Sequence, residues 1–107
     1  MLEQFGGLME LVKKVQQNLD LTQESLKKER LEVSSGDVVK VVVNGQQDIL
    51  AIELNAKYLN EENTLLLQDL LVATLNSALA KSRDVNQSFM AKMATDLNLP
   101  KIPGLFG

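Results

Sequence analysis

From Phe5 onward, apolar residues recur at spacings of three and four: Phe5, Leu8, Val12, Val15, Leu19 and Leu26, with Thr22 in the one polar slot. This is a single stripe of a long helix, widened by Met9, Leu11 and Leu21, with Lys13, Lys14, Gln16, Gln17, Lys27 and Lys28 toward water. The spacing predicts a helix from about Glu3 to Glu29. A stripe sustained over that length calls for a partner surface, either core or dimer seam. The period then shortens to two. Leu31 and Val33 alternate with Glu32 and Ser34, Ser35-Gly36-Asp37 supplies turn residues, and Val38 to Val43 form a second extended run. Asn44-Gly45 is expected to make a tight type I′ hairpin turn into Ile49 to Leu54. These segments predict a three-stranded antiparallel meander. The second strand carries Val39, Val41 and Val43 on one side and Val38 and Val42 beside Lys40 on the other, so both faces are expected to need covering, part of one by a second copy of the chain.

Asn55 is placed to cap a short turn through Tyr58 and Leu59. Asn60 is placed to cap the next helix, whose first turn holds Glu61 and Glu62, where the helix dipole favours acids. In that second long helix Leu65, Val72, Leu75, Leu79, Phe89 and Met93 form another heptad-like stripe, with Ser82 and Asn86 in two of its slots. Leu66, Leu67, Leu70 and Leu71 make its first half apolar nearly all round, so that half is expected in the core and the second half as a projecting arm. Pro100 should end the helix, and residues 98–107 are expected to form a mobile tail unless Leu105 and Phe106 dock. Residues 1–107 therefore read as one α+β domain, in the order long helix, three-stranded antiparallel meander, long helix.

Composition narrows the chemistry. The 107 residues contain no cysteine and no histidine, which removes disulfides, thiolate metal sites and the usual nucleophile and proton-transfer groups. No cofactor, metal, small-molecule substrate or enzymatic activity is expected. No run of apolar residues reaches membrane-spanning length, and the start lacks the basic and apolar regions of a signal peptide, so a soluble cytoplasmic protein without membrane association is expected. The net charge is −3, yet beyond Asp69 the basic residues Lys81, Arg83, Lys92 and Lys101 oppose only Asp84 and Asp96. A polyanion would prefer the helices to the sheet. Gly6-Gly7 has no preceding strand and no phosphate-loop pattern, and the lone Tyr58 makes a poor base-stacking platform. Met9, Met90 and Met93 read as core or seam filler.

The chain resembles the YbaB/EbfC family of nucleoid-associated proteins. The likeness rests on Phe5-Gly6-Gly7-Leu8-Met9, Val39-Lys40-Val41-Val42-Val43-Asn44-Gly45, Leu54-Asn55 with Leu59, Leu67-Gln68-Asp69-Leu70-Leu71, Ala73-Thr74-Leu75-Asn76-Ser77-Ala78 and the closing Pro103-Gly104-Leu105-Phe106. Gln68 and Ser77 stand where the family tends to have Glu and Asp. The resemblance implies a homodimer whose sheets meet at the centre while long helices project as the arms of tweezers, binding double-stranded DNA in the cytoplasm, at the nucleoid.

On that reading the candidate DNA contacts are the exposed cations of the helices, with one amide among them. They are Lys13, Lys14 and Gln17 on the first helix, Lys27, Lys28 and Arg30 at its end, and Lys81, Arg83 and Lys92 on the second. Each also reads as an ordinary solvated residue, with Glu10, Glu24, Glu29 and Asp84 near enough to pair with several of them. No base-reading motif is present, so low sequence selectivity is expected. The competing reading, kept open by the acidic net charge, is a dimeric protein-interaction module that uses its amphipathic helices and the Leu105-Phe106 tail without useful DNA affinity.

Overall fold

The computed structural model describes residues 2–96. The chain runs α1 (Leu2–Lys28), β1 (Leu31–Ser35), β2 (Val39–Val43), β3 (Ile49–Leu54) and α2 (Thr64–Asp96). Two short 3₁₀ turns, Ala56–Tyr58 and Glu61–Asn63, lead into α2. The fold is α+β with an antiparallel sheet in the order β1-β2-β3. Asn55 caps the first turn as expected, its side chain accepting from the backbone N–H of Lys57 at 3.1 Å. Asn60, expected to cap the long helix, caps the second 3₁₀ turn instead, accepting from Asn63 N–H at 3.0 Å, so Glu61 and Glu62 lie ahead of α2 rather than in its first turn.

The core lies between the sheet and α2. Val39, Val41 and Val43 point to one face and pack with Ala78, while Leu31, Val33, Leu70, Leu71 and Leu75 close around them. Burying each of those valines is worth about 1.5–3 kcal/mol, so this layer carries much of the stability. The other face is polar. Lys40 stands there between Glu32 and Glu53, 3.5 and 3.7 Å from their carboxylates, and Val42 is already only 3 % exposed. The expectation of two apolar faces therefore fails: a charged ladder solvates the second face, and no cover is required there. The uncovered apolar surface lies instead on the helix-facing side at β3. Ile52 and Leu54 pair in register with the buried Val41 and Val39, yet are 45 % and 39 % exposed because α2 packs chiefly across β1 and β2.

Two further expectations are corrected. The β2–β3 connection is not a two-residue type I′ turn. Asn44 N–H donates to the Asp48 carbonyl at 3.0 Å around a three-residue loop, and the positive φ falls on Gln47, at 66°, rather than on Gly45. The Asn44 carboxamide oxygen accepts from the backbone N–H of both Gln46 and Asp48, which holds the wider loop shape. Nor is the first half of α2 buried all round. Leu65, Leu66 and Val72 are 74 %, 46 % and 61 % exposed, since a single sheet can cover only one side of a helix.

What Gly45 supplies is closeness. A Cβ there would lie 2.7 Å from Leu26 Cδ2 and 2.9 Å from the Leu26 carbonyl oxygen. The Gly45 N–H donates to that oxygen at 2.7 Å, and the Asn44 side chain donates to the Lys27 carbonyl at 3.3 Å. The hairpin thus supplies donors to carbonyls in the last turn of α1, where the helix's own N–H groups run out. From the other side, Ser82 Oγ donates to the Asn44 carbonyl at 2.7 Å and accepts from Gln47 N–H at 2.9 Å, and Asn86 donates to the Gly45 carbonyl at 3.0 Å. The polar residues in the apolar stripe of α2 are there to grip the hairpin. Locked at this point, α1 and α2 run antiparallel away from the sheet, and the molecule measures 73 × 24 × 16 Å.

Candidate nucleic-acid interface

All nine candidate residues are exposed, but they do not form one patch. Lys27 and Lys28 occupy the last turn of α1, where cations complement the negative end of the helix dipole, and Arg30 follows in the link to β1. Lys81 Nζ reaches the Glu32 carbonyl at 3.4 Å, which brings it beside the start of β1 and so toward Arg30. These four cations gather where the arms leave the sheet, with Glu24 and Glu29 among them. Lys13, Lys14 and Gln17 lie farther out on α1, roughly 15–20 Å along the helix from Lys27 at 1.5 Å per residue. Arg83 is turned by roughly 200° around α2 from Lys81, so the two leave opposite flanks of the helix. Lys92 borders the cleft between the helices with Asn18, Thr22 and Phe89.

The acidic neighbours do not neutralise this set. Among the described side chains the ion pairs join Lys40 to Glu32 and Glu53, on the sheet. Lys13, Lys14, Lys27, Lys28, Arg30, Lys81 and Arg83 carry no carboxylate partner there, and the pairing anticipated with Glu10, Glu24, Glu29 and Asp84 is not formed. Solvated lysines gain too little from such surface pairs to hold them. Met93 is buried and Met90 half-buried, as expected, whereas Met9 is 62 % exposed. Among the described residues no group of acidic side chains could hold a metal ion, and no helix is long and apolar enough to cross a membrane.

Sequence reasoning missed the clamp of Asn44, Ser82 and Asn86 that sets where the arms start. Its only signal was polar residues in apolar slots. Among the described residues the perturbed titration lies away from the arms. Tyr58 donates to Asp37 Oδ1 at 3.0 Å, and that hydrogen bond, with the charge of Asp37 behind it, raises the phenol above its ordinary value of 10.0.

An elongated α+β chain with two helical arms and unpaired cations at their root and along them is built as a binding protein, with phosphate-compatible chemistry. Residues 1–97 match the YbaB/EbfC DNA-binding family, and the chain belongs to it. It is 41 % identical over 101 residues to a protein of Syntrophobacter fumaroxidans named nucleoid-associated protein, covering 92 % of each chain. Proteins of the same name from Pelotomaculum thermopropionicum and Alkaliphilus metalliredigens are 38 % and 31 % identical, each over more than nine tenths of this chain and 92 % and 87 % of their own.

Proposed function

We propose that this protein binds double-stranded DNA at the nucleoid as a homodimer, with low sequence selectivity and no catalytic role. The observation that carries the reading is the set of exposed helical cations without carboxylate partners, in a chain of a DNA-binding family. Low selectivity follows from the residue types. The set is mostly lysine, a point charge that neutralises phosphates, with only Arg30, Arg83 and the amide of Gln17 able to fork across a base edge. Dimerisation is supported by the apolar band where Ile52 and Leu54 of β3 lie open beside the Leu65 and Val72 flank of α2. A second copy closing that band would bring two pairs of arms to one duplex.

The test is fluorescence anisotropy with a labelled duplex of about 30 base pairs, titrated at several salt concentrations; log affinity should fall against log salt by about 0.9 per neutralised phosphate. Saturable, strongly salt-dependent binding that is nearly equal for unrelated duplexes supports the reading. Absence of binding even at low salt would overturn it and leave the helices as a protein-interaction surface.

A further inference from the structure

Within the described residues, which end before the tail expected at residues 98–107, the loop that meets α1 holds a further piece of chemistry. Of the asparagines in the chain only Asn44 is followed by a glycine. That order lets the backbone nitrogen of the second residue reach the carboxamide carbon of the first, because no Cβ stands in the way. The loop surrounds Asn44 with what such an attack needs. Its carboxamide oxygen accepts from the backbone N–H of Gln46 at 2.9 Å and of Asp48 at 3.0 Å, two fixed donors for the negative charge that attack on the carboxamide carbon would put on that oxygen. One contact withholds the nucleophile. The Gly45 N–H donates to the Leu26 carbonyl at 2.7 Å, and Asn44 and Gly45 are both buried against the end of α1.

We propose that Asn44-Gly45 is a self-modification site kept shut by the docking of α1, so that release of α1 converts Asn44 to aspartate or isoaspartate. The only co-reactant is water. Once the Leu26 carbonyl has left, hydroxide from water takes the Gly45 amide proton and the nitrogen bonds to Asn44 Cγ. The Cγ–Nδ2 bond then breaks, and Nδ2 leaves as ammonia with a proton returned from water. The resulting ring is a succinimide. Water opens it at either carbonyl, its hydroxyl going to that carbon and its proton to the ring nitrogen, and nothing is oxidised or reduced. Release of α1 is a small event. Among its described side chains only Leu26 is buried, so the helix end can part from the hairpin while β2 and α2 stay packed. The product cannot restore the contact. Asn44 Nδ2 donates to the Lys27 carbonyl at 3.3 Å and to Asp48 Oδ2 at 3.0 Å, and a carboxylate in its place loses both donors and sets like charges side by side. Each conversion therefore records a release of α1 and leaves the root of that arm loosened.

Peptide mass spectrometry of the full-length chain, held in warm and mildly alkaline buffer, reads the conversion directly. In the native protein Asn44 should convert at least about tenfold more slowly than in the same chain unfolded in urea. Leu26→Ala uncovers Gly45 without altering the loop, and should convert Asn44 about tenfold faster than the native protein, with hydrogen exchange at the β2 amides unaltered. Equal rates in native and unfolded chains overturn the proposal, as does a folded Leu26→Ala protein that converts no faster. Should that substitution unfold the chain, the native protein answers alone. Below the unfolding transition its conversion should rise with urea less steeply than the population of unfolded chain, because freeing one helix end exposes less surface than unfolding does. An equal slope would show that only global unfolding opens the site, and overturns the proposal. The loop chemistry is independent of DNA, and failure of the DNA titration would leave it intact.

Discussion

At Gly45 a single hydrogen atom decides whether α1 can meet the hairpin. With 2.7 Å between a would-be Cβ and Leu26 Cδ2, and the Leu26 backbone equally close, Gly45→Ala has nowhere to go without shifting α1. Overpacking of this kind costs about 1–3 kcal/mol, and chemical denaturation should show that loss, whereas the exposed Gly7→Ala, with open space around it inside a helix, should if anything stabilise. Tyr58 offers a spectroscopic prediction, being the only tyrosine. Its neutral form donates to Asp37, so its folded pKa lies above the unfolded one, and the associated stability is complete below pH 10 and lost as pH rises through the raised value. Tyrosinate absorbance should therefore titrate above 10 in the native chain and move back toward 10 in Asp37→Asn. An identical midpoint in the two proteins would show that the hydrogen bond is not held in solution.

At the scale of the element, α1 is a rod fastened at one end. Its C-terminal carbonyls are taken by the hairpin, its middle meets α2, and its outer half carries Lys13 and Lys14 away from the sheet. Charge reversal of Lys13 and Lys14 together should weaken binding about equally to unrelated duplexes and flatten the salt dependence by about 0.9 for each phosphate no longer neutralised. The same change at Lys27, Lys28 and Arg30 tests the root of the arms. Unchanged affinity in either variant removes that group from the interface. The β2–β3 hairpin, by contrast, was misjudged from its sequence. Asn44-Gly45 is the commonest signal for a tight turn, but here the asparagine organises a wider loop and the glycine makes room for a helix. A dipeptide cannot reveal which of its possible uses the rest of the chain requires.

For the whole molecule the decisive feature is that one helix covers two strands of three. The exposed band at Ile52, Leu54, Leu65 and Val72 is the surface a second copy would close. Ile52→Glu with Val72→Glu should yield a folded monomer in sedimentation equilibrium, with native circular dichroism and weaker DNA binding. A dimer of unaltered affinity would place the interface elsewhere.

The order of elements, the cap at Asn55, the core face of β2 and the exposure of every candidate cation were legible in the sequence. They depend on local periodicity and on side chains acting on their own backbone. Periodicity could say that Val42 and Ile52 were apolar, but not that a charged ladder would surround the first while the second stayed open beyond the reach of α2. Nor could it say that Ser82 and Asn86, polar residues in an apolar stripe, would hold the hairpin to which α1 is fastened. Those outcomes join residues about 40 positions apart, and they follow from which surfaces touch once the helices are laid against the sheet.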